Sequence, residues 1–150
     1  MPLIRERVDT TLDPAAVFDY VANFETAEEW DPGVVSSQKL TDGPLDVGSQ
    51  YAVTVQYGGA PQPMTYTVTE VTRPSLVVIE GEGARSITID RISFSEEGGG
   101  TVIDYEADIR MRGIYRAAQP FLGKLFTQIG EGARAGLNSR LAELADSAAE

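Results

Sequence analysis

The sequence predicts an α+β fold in which a curved, seven-stranded antiparallel sheet wraps around one long C-terminal helix, with two short helices after the first strand. Three observations carry this. From Val34 to Met111 apolar residues recur every second position, in short runs separated by turn residues. From about Pro120 the helical period takes over and holds to the end of the chain. Ahead of both, a capped helix breaks and delivers the only tryptophan, Trp30, to the start of the strand region.

Each element has a local cause. Residues 3–11 alternate as a first strand. Asp13 then stands at an N-cap position and Pro14 at the first helical position, where a missing N–H does no harm. Leu12 and Val17 are spaced to staple that cap, and Val17, Phe18 and Val21 give the helix a buried stripe. Glu25 to Glu29 form one further turn, which Pro32 and Gly33 stop. Strands follow near 34–41, 49–57, 63–72, 75–82, 85–95 and 101–111. The breaks between them are Asp42-Gly43-Pro44, Gly58-Gly59-Ala60-Pro61, Arg73-Pro74, Gly81-Glu82-Gly83 and Gly98-Gly99-Gly100. Connections this short and free of helix imply an antiparallel meander.

Two strands alternate most clearly: Tyr51, Val53, Val55, Tyr57, and Ile103, Tyr105, Ala107, Ile109, Met111. One face of the sheet is therefore expected to be buried and the other wet. The strand at 85–95 changes phase, with Ile87 and Ile89 on one parity and Ile92 and Phe94 on the other, which predicts a bulge or sharp bend. In the last helix Leu122, Phe126, Ile129, Ala133, Leu137 and Leu144 share a face, opposite Lys124, Glu131, Arg134 and Asn138. Gly132 and Gly136 flank that apolar stripe, each costing about 1 kcal/mol against alanine, so either sheet backbone or a ligand is expected to press close there. The acidic end from Glu143 to Glu150 is expected to fray.

Composition narrows the chemistry. A chain of 150 residues reads as one domain, 1–150, with 42% hydrophobic and 23% charged residues. The net charge of −11 and the lack of a basic stripe argue against a nucleic-acid partner. No apolar run reaches the length of a bilayer span, and Met1 to Arg7 shows no secretory apolar segment, so the expectation is a cytoplasmic protein without stable membrane insertion. There is no cysteine and no histidine. That removes disulfides, thiol nucleophiles, the Ser-His-Asp triad and metal sites built on sulfur or imidazole. No metal and no cofactor is expected. Any proton transfer must use a carboxylate, tyrosine, lysine or water.

Val17-Phe18-Asp19-Tyr20-Val21-Ala22-Asn23-Phe24 together with Trp30-Asp31-Pro32-Gly33-Val34 resembles the opening of the polyketide cyclase/dehydrase-like branch of the START/Bet v 1 (SRPBCC) superfamily. Ile89-Asp90-Arg91-Ile92-Ser93-Phe94, followed by the Gly98-Gly99-Gly100-Thr101 turn and Val102-Ile103-Asp104-Tyr105-Glu106-Ala107-Asp108, looks like that family's paired late strands. The resemblance covers essentially the whole chain. It implies a helix-grip fold enclosing an apolar cavity, in a superfamily that includes lipid and hormone binders and aromatic cyclases. Its functional residues vary between branches, so it transfers no catalytic residue by motif.

The residues themselves supply the candidates. Trp30 is either a stacking surface at the cavity mouth or, the preferred reading, a plug holding the second short helix to the sheet. Tyr51, Tyr57, Tyr66 and Tyr105 either present hydroxyls to a ligand or act as amphipathic core. Asp90 and Arg91 interrupt an apolar strand; one faces inward and does polar work, or, the preferred reading, both form a cross-strand surface ion pair. Asp104, Glu106 and Asp108 read as a solvated convex row. Arg110, Arg112 and Arg116 either clamp an anionic group at the cavity rim or offset the acidic surface. The glycine run at 98–100 is a hairpin tip rather than a phosphate loop.

The leading expectation is a protein that binds a small apolar, aromatic or polyketide-like molecule in an internal cavity, as carrier or sequestering protein. Trp30, Tyr51, Val53, Tyr66, Tyr105, Ile109, Phe126, Ile129 and Ala133 would line it. The alternative is a cyclase or dehydratase-type enzyme moving protons through Asp90, Arg91, Tyr105 or water. A third reading is an interaction domain with a vestigial cavity. The sequence leaves monomer and homodimer open.

Overall fold

The structure, a computed structural model, describes residues 4–149. Leu3, expected in the first strand, and Glu150, at the end of the acidic tail, lie outside the described residues. The order is β1 (Ile4–Thr10), α1 (Pro14–Val21), a 3₁₀ turn (Phe24–Thr26), α2 (Ala27–Trp30), β2 (Val34–Lys39), β3 (Gln50–Val55), β4 (Gln62–Thr72), β5 (Leu76–Gly83), β6 (Ser86–Glu97), β7 (Gly100–Met111), a 3₁₀ segment (Gly113–Phe121) and α3 (Gly123–Ala149). The strands form one sheet in the order β1-β7-β6-β5-β4-β3-β2, antiparallel at every step. This is the curved sheet and gripping helix expected. No helix among the described residues is long and apolar enough to cross a membrane.

The local devices work as their residue types dictate. Asp13 Oδ1 accepts from the Ala16 N–H at 2.8 Å and starts α1, while Leu12 packs on the core beside fully buried Val17. Asp31 Oδ1 accepts from Gly33 N–H at 2.9 Å where the chain leaves α2 for β2. Gly98 and Gly99 take φ of +59° and +84°, so β6 turns into β7 through a two-residue loop closed by the Glu97–Gly100 pair. Phe18 meets Phe94 edge-on at 5.3 Å and seats α1 on β6. Burial of each such side chain contributes about 1.5–3 kcal/mol.

Several expectations need correction. β6 does not bulge: its pairing with β5 and with β7 runs without a shift. Thr88, Asp90, Ile92 and Phe94 all face inward, and Ile89 is exposed on the convex side. The apparent phase change arises because polar residues occupy inward positions. The register shifts lie instead between Val34 and Ser36 in β2 and between Val68 and Glu70 in β4. Gly81 and Gly83 belong to β5 rather than to a turn, and Tyr57 falls beyond the end of β3. The stretch before the last helix is a 3₁₀ segment with no buried residue, so α3 starts at Gly123. The helix then continues to Ala149 through the acidic end expected to fray.

The glycines of α3 do mark a close approach, and at Gly132 and Gly136 it is made by Trp30 and Pro32 rather than by sheet backbone. A Cβ at Gly136 would overlap the carbonyl oxygen of Trp30, and one at Gly132 would sit 3.2 Å from Pro32 Cγ. The α2–β2 corner is what presses on the helix. Nearer its start, a Cβ at Gly130 would come within 2.7 Å of Ile4 Cγ2 in β1.

Candidate functional site

The sheet register assembles the site. On the concave face, Tyr66, Gly81, Thr88 and Ile109 pair in succession across β4, β5, β6 and β7. The next row is Ile79, Asp90, Ala107 and Ile4, and the next is Val77, Ile92, Tyr105 and Glu6. Alternation places all of these side chains on one face. Gly81 admits its neighbours, since a Cβ there would lie 2.6 Å from the Tyr66 ring and 2.7 Å from Thr88 Oγ1. Small residues at Ala107 and Ala133 leave unfilled space between the sheet and α3.

The buried side chains form a large cluster around Phe18, Trp30, Tyr51 and Leu137, and a small one of Ile4, Ala107 and Phe126. A cavity is lined from both. Ile4, Val8, Trp30, Ala107, Ile109, Ile129, Ala133 and Leu137 supply its apolar wall. Asp31, Tyr66, Thr88, Asp90 and Tyr105 supply its polar groups, and Glu6 and Arg134 also border it. The cavity volume is about 40 Å³, room for a few waters.

Asp90 is 5% exposed and accepts a 2.5 Å hydrogen bond at Oδ2 from the Tyr105 hydroxyl. Burial pushes its carboxyl up to about 7; the Tyr105 O–H restrains the rise, and the Asp31 charge adds to it. Burial likewise pushes Asp31 up to about 6, against the stabilising N–H of Gly33. Tyr66 and Tyr105 are both raised, chiefly by burial, with Asp90 adding to each, so they remain phenols. Thr88 Oγ1 lies 3.2 Å from the Tyr66 hydroxyl, and that pair can use only one of its two O–H donors internally. Trp30 meets Tyr105 edge-on at 6.3 Å, and its Nε1–H donates to Thr26 Oγ1 at 3.4 Å. It is therefore both wall and anchor of α2.

The candidates separate clearly. Trp30, Tyr66, Tyr105, Ile109, Ile129 and Ala133 share the cavity with Asp90. Tyr51 and Val53 are sealed in the large cluster, with Tyr51 edge-on to Phe24 at 6.3 Å. Phe126 is buried against Ile4 and Ala107 and does not reach the cavity surface. Arg91 points outward and pairs with Glu70 at 3.6 Å, so Asp90 and Arg91 are not partners. The surface pair expected for both therefore exists for Arg91 alone. Arg110, Arg112 and Arg116 line a surface groove with Asp108, away from the cavity. Arg110 lies 3.1 Å from Asp108, Arg112 lies 3.2 Å from Glu82, and Glu106 pairs with Arg5. Arg134, exposed on its helix as expected, pairs with Glu6 at 3.3 Å and borders the cavity. Asp31 stands in the sequence within the Trp30-Asp31-Pro32-Gly33-Val34 stretch, with no functional role assigned to it there. Its place directly after the sole tryptophan is a signal that could have marked it.

Sequence comparison with curated proteins finds no match. A family described as "Polyketide cyclase / dehydrase and lipid transport" matches residues 1–146. Among solved structures, a START superfamily protein from Mycobacterium smegmatis superposes with a TM-score of 0.78 at 18% identity, covering 94% of this chain and 97% of that one. A protein from Thermus thermophilus also gives 0.78, at 15% identity, with the same coverage. The Zhui aromatase/cyclase from Streptomyces sp. R1128 gives 0.71 at 10% identity, covering 93% and 92%. At these identities the superpositions establish the fold, and the match over residues 1–146 establishes the family: the chain belongs to the polyketide cyclase/dehydrase and lipid transport family.

Proposed function

We propose that the cavity binds one small, mostly apolar molecule carrying a single polar group, which the Asp90–Tyr105 pair receives by hydrogen bonding. The supporting observation is that pair itself: a buried carboxyl and a partly buried phenol joined at 2.5 Å, where most of the surrounding wall is apolar. Apolar burial supplies affinity and the polar pair fixes orientation. The family description, with its cyclases and lipid transport, agrees with this division of labour. With about 40 Å³ open in this conformation, a metabolite-sized ligand must move α3 or the α2–β2 corner outward as it enters.

Native mass spectrometry of gently purified protein, beside a denatured extract, tests the reading. An apolar molecule bound one to one and released on denaturation supports it. A protein that carries no such mass and admits no apolar probe at millimolar concentration rejects it in favour of an interaction domain with a vestigial cavity.

A second reading, proton transfer on a bound carbonyl compound, is favoured by one observation. Asp90 sits inside the cavity with its carboxyl raised to about 7, which suits a group that both gives and takes a proton near neutral pH. Tyr105, held as a phenol, would orient that carboxyl through the hydrogen bond. On a poly-β-ketone thioester probe, Asp90→Asn should then lower cyclised product by about 10²–10⁴-fold. Absence of product with the unmodified protein rejects this reading and leaves the binding proposal intact.

A further inference from the structure

We infer that the ligand's polar group is a protonated amine, received by the Asp31 and Asp90 carboxylates together with the rings of Trp30, Tyr66 and Tyr105; this rests on the cavity being a ligand site.

The argument begins with charge. Asp31 and Asp90 line one cavity at 9% and 5% exposure. Each engages a single oxygen: Asp31 Oδ1 with Gly33 N–H, and Asp90 Oδ2 with the Tyr105 hydroxyl. Among the described residues no group donates to Asp90 Oδ1, and no cation pairs with either carboxyl. Among those residues the one cationic side chain bordering the cavity, Arg134, is paired with Glu6. A buried carboxylate without a counter-charge is costly, and a cation brought by the ligand removes that cost for two carboxylates at once.

Two acids alone would not specify a cation. The same cavity also presents three aromatic side chains, Trp30, Tyr66 and Tyr105, and an ammonium group is attracted to aromatic faces. The remaining wall is aliphatic and suits the rest of the ligand. A carboxylate ligand meets the opposite situation, with two like charges and no cation available to it. An alcohol of the same shape gains hydrogen bonds but no charge pairing. The titratable and charged groups around Asp90 are Asp31 from the α2–β2 corner, Tyr57 beyond β3, Tyr66 from β4, Tyr105 from β7, and Glu6 and Arg134 from β1 and α3. Burial shifts Asp31 to about 6 and Asp90 to about 7, and the tyrosines stay neutral. An alkylammonium keeps its proton to well above pH 8. The amine's advantage must therefore grow as pH rises through the carboxyl titrations.

The test uses three probes with one tail: octylamine, 1-octanol and octanoate. Affinities are measured by calorimetry, and by the fluorescence of Trp30, at pH 5 and pH 8. Octylamine is expected to bind at least about tenfold more tightly than 1-octanol at pH 8, with that lead shrinking to a few-fold or less at pH 5. Octanoate should be the weakest of the three at pH 8. Asp90→Asn should erase most of octylamine's lead over 1-octanol at pH 8. The pH comparison on unmodified protein stands even if the variant folds poorly. Octanol or octanoate binding as tightly as octylamine at pH 8 overturns the amine subsite and leaves the apolar-ligand reading in place. Binding of none of the three overturns both.

Discussion

The Tyr105 hydroxyl reaches Asp90 across a diagonal of the sheet, since Tyr105 pairs with Ile92 and Asp90 with Ala107, and it closes a 2.5 Å hydrogen bond there. That donor is what holds the buried carboxyl down against its desolvation. Tyr105→Phe removes it and leaves the ring. The Asp90 carboxyl should then titrate above about 7, visible in its carboxyl-carbon NMR shift. At pH 8 the variant should lose about 1.5–3 kcal/mol of stability, because an ionised buried acceptor has lost its donor. An unchanged Asp90 titration would mean the hydrogen bond does not control it.

Stability should fall as pH rises across the neutral range. Asp90 and Asp31 have carboxyls raised from 3.8 to about 7 and about 6 in the folded protein. Between those limits the folded state holds more protons than the unfolded chain, so the stability they confer is complete below about pH 4 and lost as pH climbs through 6 and 7. Urea unfolding should therefore give a lower free energy at pH 8 than at pH 5. Self-repulsion of a chain with net charge −11 acts in the same direction. Asp90→Asn shares that background, so it isolates the Asp90 contribution. Its pH 5 to pH 8 loss should be smaller by a few kcal/mol. Equal losses in both proteins would contradict a raised Asp90.

Most of the fold was legible because period and turn chemistry are local. Asp13-Pro14 starts a helix wherever it stands before an apolar stripe, and Gly98-Gly99 turns a hairpin by its own backbone. The site was less legible, for the opposite reason. Its polar groups occupy inward positions where alternation expects apolar residues, so Thr88 and Asp90 disguised a regular strand as a bulged one. Tyr51 and Tyr66 are directly paired neighbours on β3 and β4 with the same inward orientation. Only the tertiary position of α3 and the packing of the buried clusters decide that Tyr66 reaches the cavity and Tyr51 does not. Asp31 is brought to Asp90 by a corner and a sheet, a distance in sequence that no motif spans.

Arg91 follows Asp90 directly, yet the two should behave oppositely under mutation. Arg91 and Glu70 are each about half exposed and 3.6 Å apart on the convex side. A pair of that kind is worth at most about 1 kcal/mol. Arg91→Ala should change stability within that limit and leave probe affinity and its pH dependence unaltered. A calorimetric titration showing a large loss of binding would place Arg91 in contact with the ligand and contradict the outward orientation.

Gly136 should tolerate no side chain, although it lies in the middle of a helix. Alanine is ordinarily favoured there by about 1 kcal/mol. A Cβ at this position would overlap the Trp30 carbonyl oxygen, and backbone cannot give way as a flexible side chain can. Gly136→Ala must push α3 off the α2–β2 corner and should cost about 1–3 kcal/mol overall. Because Trp30 and Asp31 ride on that corner and line the cavity, the displacement should also shift the tryptophan emission and weaken probe binding. Gly123→Ala is the control: a Cβ there meets nothing within 4 Å, so thermal unfolding should be unchanged or slightly later. If both variants unfolded at the same temperature, the contact between α3 and the Trp30 corner would not be what demands glycine at 136.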